Sequence, residues 1–231
     1  MPEVYLIPSF LSEEARESIP AYVLTALNKC QIIFAENERT ARRFLRSMDA
    51  TFPIDKYVWH TIGKAESEVL SVFKKALQEK KNVAIISEAG CPGVADPGQQ
   101  LIALAQHMQI PIRPLVGPSS ILLALMASGF NGQHFEFLGY LPIDAAERTK
   151  KIKEHEQHSI KSGCTKIFIE TPYRNNQLLE ALLQDCSPST KICIGKQLTA
   201  KDESIITRTA AAWKKDKPDL HKVPVIFLMQ G

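Results

Sequence analysis

The chain lacks the long apolar runs, the cysteine spacings and the leader pattern that would place it in several large classes of protein. None of its apolar runs approaches the roughly 20 residues that span a bilayer, so we expect no membrane segment. Its five cysteines show no CxxC or other close metal-ligand spacing, which supports neither a disulfide framework nor a zinc site. The amino terminus leads directly into an apolar run without a basic start or cleavage site, so we expect a cytoplasmic protein without a signal peptide.

Phosphate-binding signatures of the common kinds are also missing. Neither G-x-G-x-x-G nor G-x-x-x-x-G-K-[ST] occurs, which disfavours the usual nucleotide folds. There is no internal repeat and no low-complexity segment. The net charge of +3 permits contact with phosphates but is far below that of a dedicated nucleic-acid coat protein.

Short aliphatic runs alternate with longer amphipathic stretches along the whole chain. This alternation predicts an α/β fold with mainly parallel strands in at least the first half. The runs predicted to be strands are Val4–Ile7, Gln31–Ala35, Val83–Ser87, Ile112–Val116, Phe135–Tyr140, Lys166–Glu170, Lys191–Lys196 and Val223–Met229. Helices are predicted over Glu66–Lys80, Gly98–Met108, Ile121–Met126 and Asn175–Gln184, and the charged stretch 144–161 reads as an exposed helix or mobile connection.

Proline and glycine are concentrated near the midpoint of the chain and mark a candidate domain junction. Pro111, Pro114, Gly117 and Pro118 fall close together, and proline restricts its predecessor to extended geometry. We therefore predict two α/β domains, residues 1–116 and 117–231. The alternative is an ordinary strand-to-helix loop inside one domain.

Two loops that follow predicted strands have the composition of ligand-binding loops. The segment Ser87–Gly98 contains three glycines and two prolines, which let the backbone approach a small molecule while holding the turn. The segment Leu115–Ser120 also follows a strand and opens a helix that Ser119 or Ser120 can cap. Because ligands of open α/β sheets bind at the carboxyl ends of strands, two such loops favour a binding site more than either loop alone.

Five motifs in this order resemble a known family. Ser87–Pro92 with Asp96–Gly98 resembles S-D-A-G-T-P…D-P-G of the small-subunit ribosomal RNA 2′-O-methyltransferase I family, a branch of the tetrapyrrole (corrin and porphyrin) methylases. Four further segments resemble A-E-D-T-R, G-P-S-A, F-x-G-F-L-P and E-S-P-H-R of that family: Ala35–Arg39, Gly117–Ser120, Phe137–Pro142 and Glu170–Arg174.

The resemblance implies two α/β domains, a homodimer, and S-adenosylmethionine bound in the cleft between the domains. The residues that it implies for cofactor binding are Pro8, Gly90, Cys91, Pro92, Val94, Ser119, Ser120, Glu170, Gln197 and Pro224. Cys91 is expected to act through its backbone rather than as a reactive thiol. No metal is implied.

Methyl transfer from a sulfonium depends mainly on alignment of donor and acceptor, but an alcohol acceptor also profits from a base. Glu36 and Glu170, each after an apolar strand, are the candidate catalytic carboxylates. Arg39 and Arg174 are placed to bind phosphate or to pair with them. The alternative for each Glu–Arg pair is a structural ion pair that closes a strand end.

The first loop departs from the family pattern. T-P-I-G-N-L is replaced by Ile7–Ser12, which keeps the proline and loses the Gly-Asn pair, and Glu13 and Glu14 follow. Ribosomal RNA in the 30S subunit is the preferred acceptor, with basic clusters at Arg42, Arg43 and Arg46 and at Lys150, Lys151 and Lys153 as candidate phosphate contacts. A tetrapyrrole or corrin precursor is the alternative acceptor, and a non-catalytic S-adenosylmethionine-binding module is the alternative to an enzyme.

Three histidines have a weaker functional interpretation. His60 lies near a position where the family often has a His-rich loop, but a lone histidine is more often structural. His155 and His158 have a spacing that suits a metal on a helix face. Their charged neighbours, among them Glu156, instead favour a solvated face.

Overall fold

The computed structural model describes residues 1–63 and 66–231, and the chain divides into two compact units, Met1–Ser119 and Ser120–Gly231. Each unit has its own sheet and its own core. The mixed α/β fold is therefore confirmed. The prediction of two separate domains, divided after residue 116, stays a prediction.

In the described part of the first unit, five parallel strands form a sheet in the order β3-β2-β4-β1-β5. The strands are β1 (Val4–Ile7), β2 (Ile32–Ala35), β3 (Val58–Thr61), β4 (Val83–Ile86) and β5 (Ile112–Pro114). The helices are α1 (Tyr22–Leu27), α2 (Glu38–Met48), α3 (Glu66–Gln78) and α4 (Gln99–His107), with 3-10 turns at Arg16–Ser18 and Ile54–Lys56.

The continuous apolar strands of this unit are explained by burial on both faces of the sheet. In β4, Val83 and Ile85 belong to a core cluster with Phe73, whereas Ala84 and Ile86 belong to a second cluster with Phe44. Successive side chains of a strand point to opposite faces, so a strand covered on both sides needs apolar residues at every position. The predicted parallel pairing of the first half is confirmed.

In the second unit the strand order is β6-β7-β10-β8-β9, with β6 and β7 parallel and the other neighbours antiparallel. The strands are β6 (Phe135–Tyr140), β7 (Thr165–Ile169), β8 (Lys191–Lys196), β9 (Ser204–Thr209) and β10 (Val225–Gln230). The helices are α5 (Ser120–Ser128), α6 (Ala145–Ser162), α7 (Asn175–Asp185) and α8 (Ala210–Lys215). The core packs the apolar face of α7, including Leu178 and Leu182, with Ile192 and Phe227 of the sheet.

The stretch 144–161 forms an ordered helix rather than a mobile connection. The Asp144 side chain accepts a hydrogen bond from the backbone N–H of Glu147 at its start, and Gly163 ends it in the left-handed region at φ 65°. Glu156 is buried there, and it accepts hydrogen bonds from the Ser187 N–H and the Thr190 hydroxyl. The prediction of an exposed helix is therefore confirmed in outline, with Glu156 as one of its few buried residues.

Within residues 1–63 and 66–231, no helix combines the length and the apolar character needed to cross a membrane.

Candidate functional site

The carboxyl ends of three parallel strands meet at one edge of the first sheet. Ile7 of β1 and Ala35 of β2 both lie in register with Ile86 of β4. The loops that follow these strands therefore leave the sheet at the same level, where ligands of open α/β sheets bind. Most cofactor-binding residues expected in this unit lie on these loops or on the loop after β5.

The loop after β1 and the loop after β4 are joined by a pair of backbone hydrogen bonds. The Ser9 N–H donates to the Gly90 carbonyl at 2.9 Å, and the Gly90 N–H donates to the Ser9 carbonyl at 3.1 Å. The buried Ser9 hydroxyl also donates to the Ser87 carbonyl at 2.8 Å. Gly90 has φ +73°, a conformation that glycine adopts without strain. The predicted residues Pro8 and Gly90 are thus held side by side.

Asp96 organises the rest of the second loop. Its Oδ1 accepts hydrogen bonds from the backbone N–H groups of Gly93, at 2.8 Å, and Gly98, at 2.9 Å. Burial raises the pKa of the Asp96 carboxyl above its ordinary value, and the two N–H donors oppose that shift. Val94 lies on the same loop with an exposed side chain. The sequence resemblance covered Asp96 in its motif but did not single out this role.

The third loop packs directly on the other two. A Cβ placed on Gly117 would lie 2.1 Å from the Pro8 Cβ, so only glycine fits there. The Cys91 thiol faces the carbonyls of Pro118, at 3.5 Å, and Gly117, at 3.8 Å. Three loops therefore form one contiguous surface at the edge of the sheet, and Ser119 follows Pro118 directly on it.

Glu36 lies at this edge with its side chain half-buried. Its Oε2 accepts a hydrogen bond of 3.0 Å from the backbone N–H of Glu88. Burial is the largest cause that raises the pKa of its carboxyl, and the negative charges of Asp96 and Glu88 add to it. Arg39 is exposed on α2, and among the described residues no ion pair joins it to Glu36. This predicted Glu–Arg pair is therefore open.

The second predicted pair, in the other unit, is closed. Arg174 donates from Nη2, at 2.7 Å, and from Nε, at 3.1 Å, to one oxygen of Glu170. The same oxygen accepts from the backbone N–H of Thr171. The Glu170 side chain is only 7% exposed and that of Arg174 is 30% exposed. This geometry is that of an ion pair closing the end of β7.

The predicted residues Gln197 and Pro224 lie together at the same edge of the second sheet as Glu170. The Gln197 N–H donates to the Pro224 carbonyl at 3.0 Å, and the paired ends of β7, β8 and β10 meet at this edge. Gln197 and Thr199 both have left-handed backbone, at φ 49° and 71°, which is strained for a β-branched residue such as Thr199. Ser120, also predicted for the cofactor, begins α5.

Two polar atoms at this edge are buried without a protein partner in the described part of the chain, Gln197 Oε1 and Thr199 Oγ1. A buried polar atom without a hydrogen bond costs free energy, so atoms of this kind point to a ligand or water that satisfies them. Thr199 was not predicted as a site residue, although it lies two residues after Gln197, which was.

The histidines have structural roles. The His60 ring stacks on Phe34 with centroids 5.1 Å apart, and burial lowers its pKa. His158 Nδ1 lies 2.5 Å from Nζ of Lys166, a fully buried residue that also pairs with Glu136. His158 is nevertheless exposed, as the interpretation of a solvated face expects.

Around Lys166, donor atoms of Glu136, His158 and Cys164 lie within 4.8 Å of one another. These are nitrogen, oxygen and sulfur donors of the types that bind metals. The Lys166 ammonium, which contacts both Glu136 and His158, already supplies positive charge there. We therefore assign the cluster no metal.

Comparison with known proteins places this arrangement in a family. Residues 15–213 match the family described as Tetrapyrrole (Corrin/Porphyrin) Methylases. The chain belongs to this family. The family match confirms the predicted methyltransferase class together with its S-adenosylmethionine donor.

Relatives of this methylase include the ribosomal RNA small subunit methyltransferase I of Mesorhizobium japonicum, which is 32% identical over 212 residues. That match covers 91% of this chain and 68% of the relative. The methylase spans about two thirds of the length of the first curated relatives that it matches. The predicted resemblance to this branch is confirmed.

Two solved structures share the fold of this methylase. The methyltransferase CobJ superposes with a TM-score of 0.63 at 18% identity, covering 99% of this chain and 93% of CobJ. Uroporphyrin-III C-methyltransferase from Thermus thermophilus, in complex with S-adenyl homocysteine, gives 0.58 at 13% identity, with coverages of 99% and 97%. At these identities the likeness concerns the fold.

Proposed function

We propose that this methylase transfers a methyl group from S-adenosylmethionine to a ribose 2′-hydroxyl of small-subunit ribosomal RNA. The observation that carries the proposal is Glu36, a half-buried carboxyl of raised pKa at the edge where the loops that carry Pro8, Gly90 and Gly117 meet. The name of the Mesorhizobium relative supports ribosomal RNA as the acceptor class.

The residues present suit the donor. In the first unit, Pro8, Gly90, Cys91, Pro92, Val94 and Ser119 offer backbone groups, and glycines allow close approach of the ligand. In the second unit, Gln197 Oε1 and Thr199 Oγ1 are polar atoms without a protein partner near Pro224. Ser120 begins a helix in the same unit. These groups suit polar recognition of the adenosine.

The donor supplies an activated methyl group, and the chain's own residues supply alignment and proton handling. Glu36 acts as the base that accepts the proton of the ribose hydroxyl, because its raised pKa keeps it a better proton acceptor than an ordinary carboxylate. The Glu88 N–H fixes the orientation of this carboxylate through Oε2. Arg39, exposed one turn further along, contacts the RNA backbone.

Glu170 and Arg174 act as a pair in this proposal. Their closed geometry fixes the end of β7 beside the Gln197–Pro224 contact, so they position the donor rather than move a proton. The active form is a homodimer in the cytoplasm, as the family resemblance implies.

The test is transfer of labelled methyl from S-adenosylmethionine to 30S subunits whose RNA carries no methyl group added by an enzyme of this family. The modified nucleotide is then mapped. We expect one ribose-methylated position. Transfer to precorrin-type substrates but not to 30S subunits would contradict the RNA acceptor. Calorimetric binding of S-adenosylmethionine without transfer to RNA, tetrapyrrole or protein would contradict catalysis and favour a cofactor-binding module.

A further inference from the structure

The exposed arginines of α2 are not equivalent. Arg39, Arg43 and Arg46 are spaced to lie along one exposed face of the helix. Arg42 is committed elsewhere, since it pairs with Glu38 at 2.8 Å and with Asp55 at 3.4 Å and lies 4.7 Å over the Trp59 ring. The prediction that Arg42, Arg43 and Arg46 form a phosphate-binding cluster stays a prediction, and within it Arg42 has more protein contacts than Arg43.

Arg43 is held by a weak and replaceable partner. Its Nη2 lies 2.8 Å from Glu13 Oε1, and the two side chains are 67% and 64% exposed. An exposed ion pair of this kind contributes little free energy because water and salt screen it. A phosphate accepts the same guanidinium donors in bidentate geometry and carries at least as much negative charge. An incoming phosphate can therefore replace Glu13 at little cost.

Glu13 lies on a loop that is anchored at its other end beside the donor surface. Ser9 is bonded in both directions to Gly90, and the Phe10 ring packs edge-on against Phe44 of α2 with centroids 5.1 Å apart. The segment Ser9–Glu13 thus runs from the donor loop to the arginine face. It is also the segment in which the sequence departs from the family's first loop.

We propose that Glu13 competes with RNA for Arg43 and occupies the guanidinium until an RNA phosphate displaces it. The inference rests on the proposed function and goes further, because it names the residue that competes with RNA. Because Glu13 competes equally with every RNA phosphate, it lowers the affinity for RNA without distinguishing one RNA sequence from another. No covalent step is involved.

The experiment is a double-mutant cycle on binding of a fluorescently labelled, unmethylated transcript of small-subunit ribosomal RNA to the full chain. Glu13→Gln should tighten binding about two- to fivefold, the range expected for loss of one exposed competing ion pair. Arg43→Gln should weaken binding and reduce the slope of log K against log salt by roughly 0.7–0.9. In the Arg43→Gln background, Glu13→Gln should give no further gain.

Glu17→Gln is the matched control, since it removes one negative charge from an exposed side chain four residues after Glu13. If Glu17→Gln tightens binding as much as Glu13→Gln, or if the gain persists without Arg43, the effect is general electrostatics and the proposal is overturned. Thermal unfolding of each variant shows whether it is folded. Wild-type protein that binds S-adenosylmethionine but not the transcript would overturn the proposed function as well, whereas tight RNA binding without coupling would overturn only the role of Glu13.

Discussion

The two Glu–Arg motifs look alike in the sequence, yet the structure treats them differently. Both follow an apolar strand, but Glu170 and Arg174 form a closed pair whereas Glu36 and Arg39 stay apart. In the closed pair both hydrogen bonds of the guanidinium go to one carboxylate oxygen. In the open motif the carboxylate is held by a backbone N–H, and the arginine is left on the surface. An ion pair whose two groups hydrogen-bond to each other stabilises the fold, whereas a carboxylate without an arginine partner can accept a proton from a substrate.

The largest expected effect is a loss of activity, and it distinguishes Glu36 from Glu170. Glu36→Gln removes the base while keeping an oxygen that can accept from the Glu88 N–H, so we expect methyl transfer to fall by about 10²–10⁴-fold. Single-turnover transfer to 30S subunits measures this. S-adenosylmethionine affinity, measured by calorimetry, should be unchanged. The control is Glu88→Gln, a nearby exposed carboxylate whose loss should have little effect. Equal loss in both variants would contradict a special role for Glu36.

The second effect concerns stability and belongs to the closed pair. Arg174→Ala leaves the buried Glu170 carboxylate with one backbone donor, so we expect the free energy of unfolding to fall by roughly 1–3 kcal/mol. Urea titration measures the change. Arg39→Ala is the matched control in the open motif and should change stability by no more than about 0.5 kcal/mol. A similar loss in both variants would show that the open motif also closes in solution.

The third effect is a pH dependence of the open motif. Because the pKa of Glu36 is raised in the folded protein, the folded state binds its proton more tightly than the unfolded state does. Its carboxylate therefore destabilises the fold as pH rises from 4.5 through the raised pKa, and this penalty is absent below 4.5. Glu36→Gln should gain stability relative to wild type over that window. Unfolding titrations across the window that show a constant difference between the two proteins would refute the assignment.

The smallest expected effect concerns the loop after β4, in which Asp96 accepts two backbone hydrogen bonds. Asp96→Asn keeps an oxygen for the N–H groups of Gly93 and Gly98, whereas Asp96→Ala removes it. We expect S-adenosylmethionine to bind the Asn variant almost as tightly as wild type and the Ala variant several-fold more weakly, since neutral hydrogen bonds contribute about 1 kcal/mol each. Calorimetry on both variants decides this. Equal affinities would show that the loop keeps its shape without Asp96.

The sequence predicted four strands of each sheet and missed one strand of each for a physical reason. Strands buried on both faces, such as Val83–Ile86, are continuously apolar and easy to recognise. The strands Val58–Thr61 and Ser204–Thr209 were not predicted, since both lie at sheet edges and are half-exposed, so polar residues such as His60 and Arg208 interrupt them. Edge strands have weaker patterns because only part of their surface meets the core.

The candidate site was predictable where it depends on composition and not where it depends on contacts. Glycine and proline marked the loops around Gly90 and Gly117. The open state of Glu36 and the pairing of Arg43 with Glu13 were not predictable, because each depends on which side chain a folded loop brings within reach. Unpartnered atoms such as Thr199 Oγ1 become visible only when burial is known.

The Lys166 ammonium lies between Glu136 and His158, and this corner of the second unit therefore differs from a cluster of the same side chains held by a metal ion. A tethered counter-ion cannot be dialysed away, exchanged for a competing ion or captured by a chelator. Its strength instead follows acid–base chemistry, because the Lys166 ammonium lowers the pKa of the Glu136 carboxyl, and acid that protonates this carboxylate removes the charge that Lys166 holds. The protein therefore carries its own cation at this corner by covalent attachment.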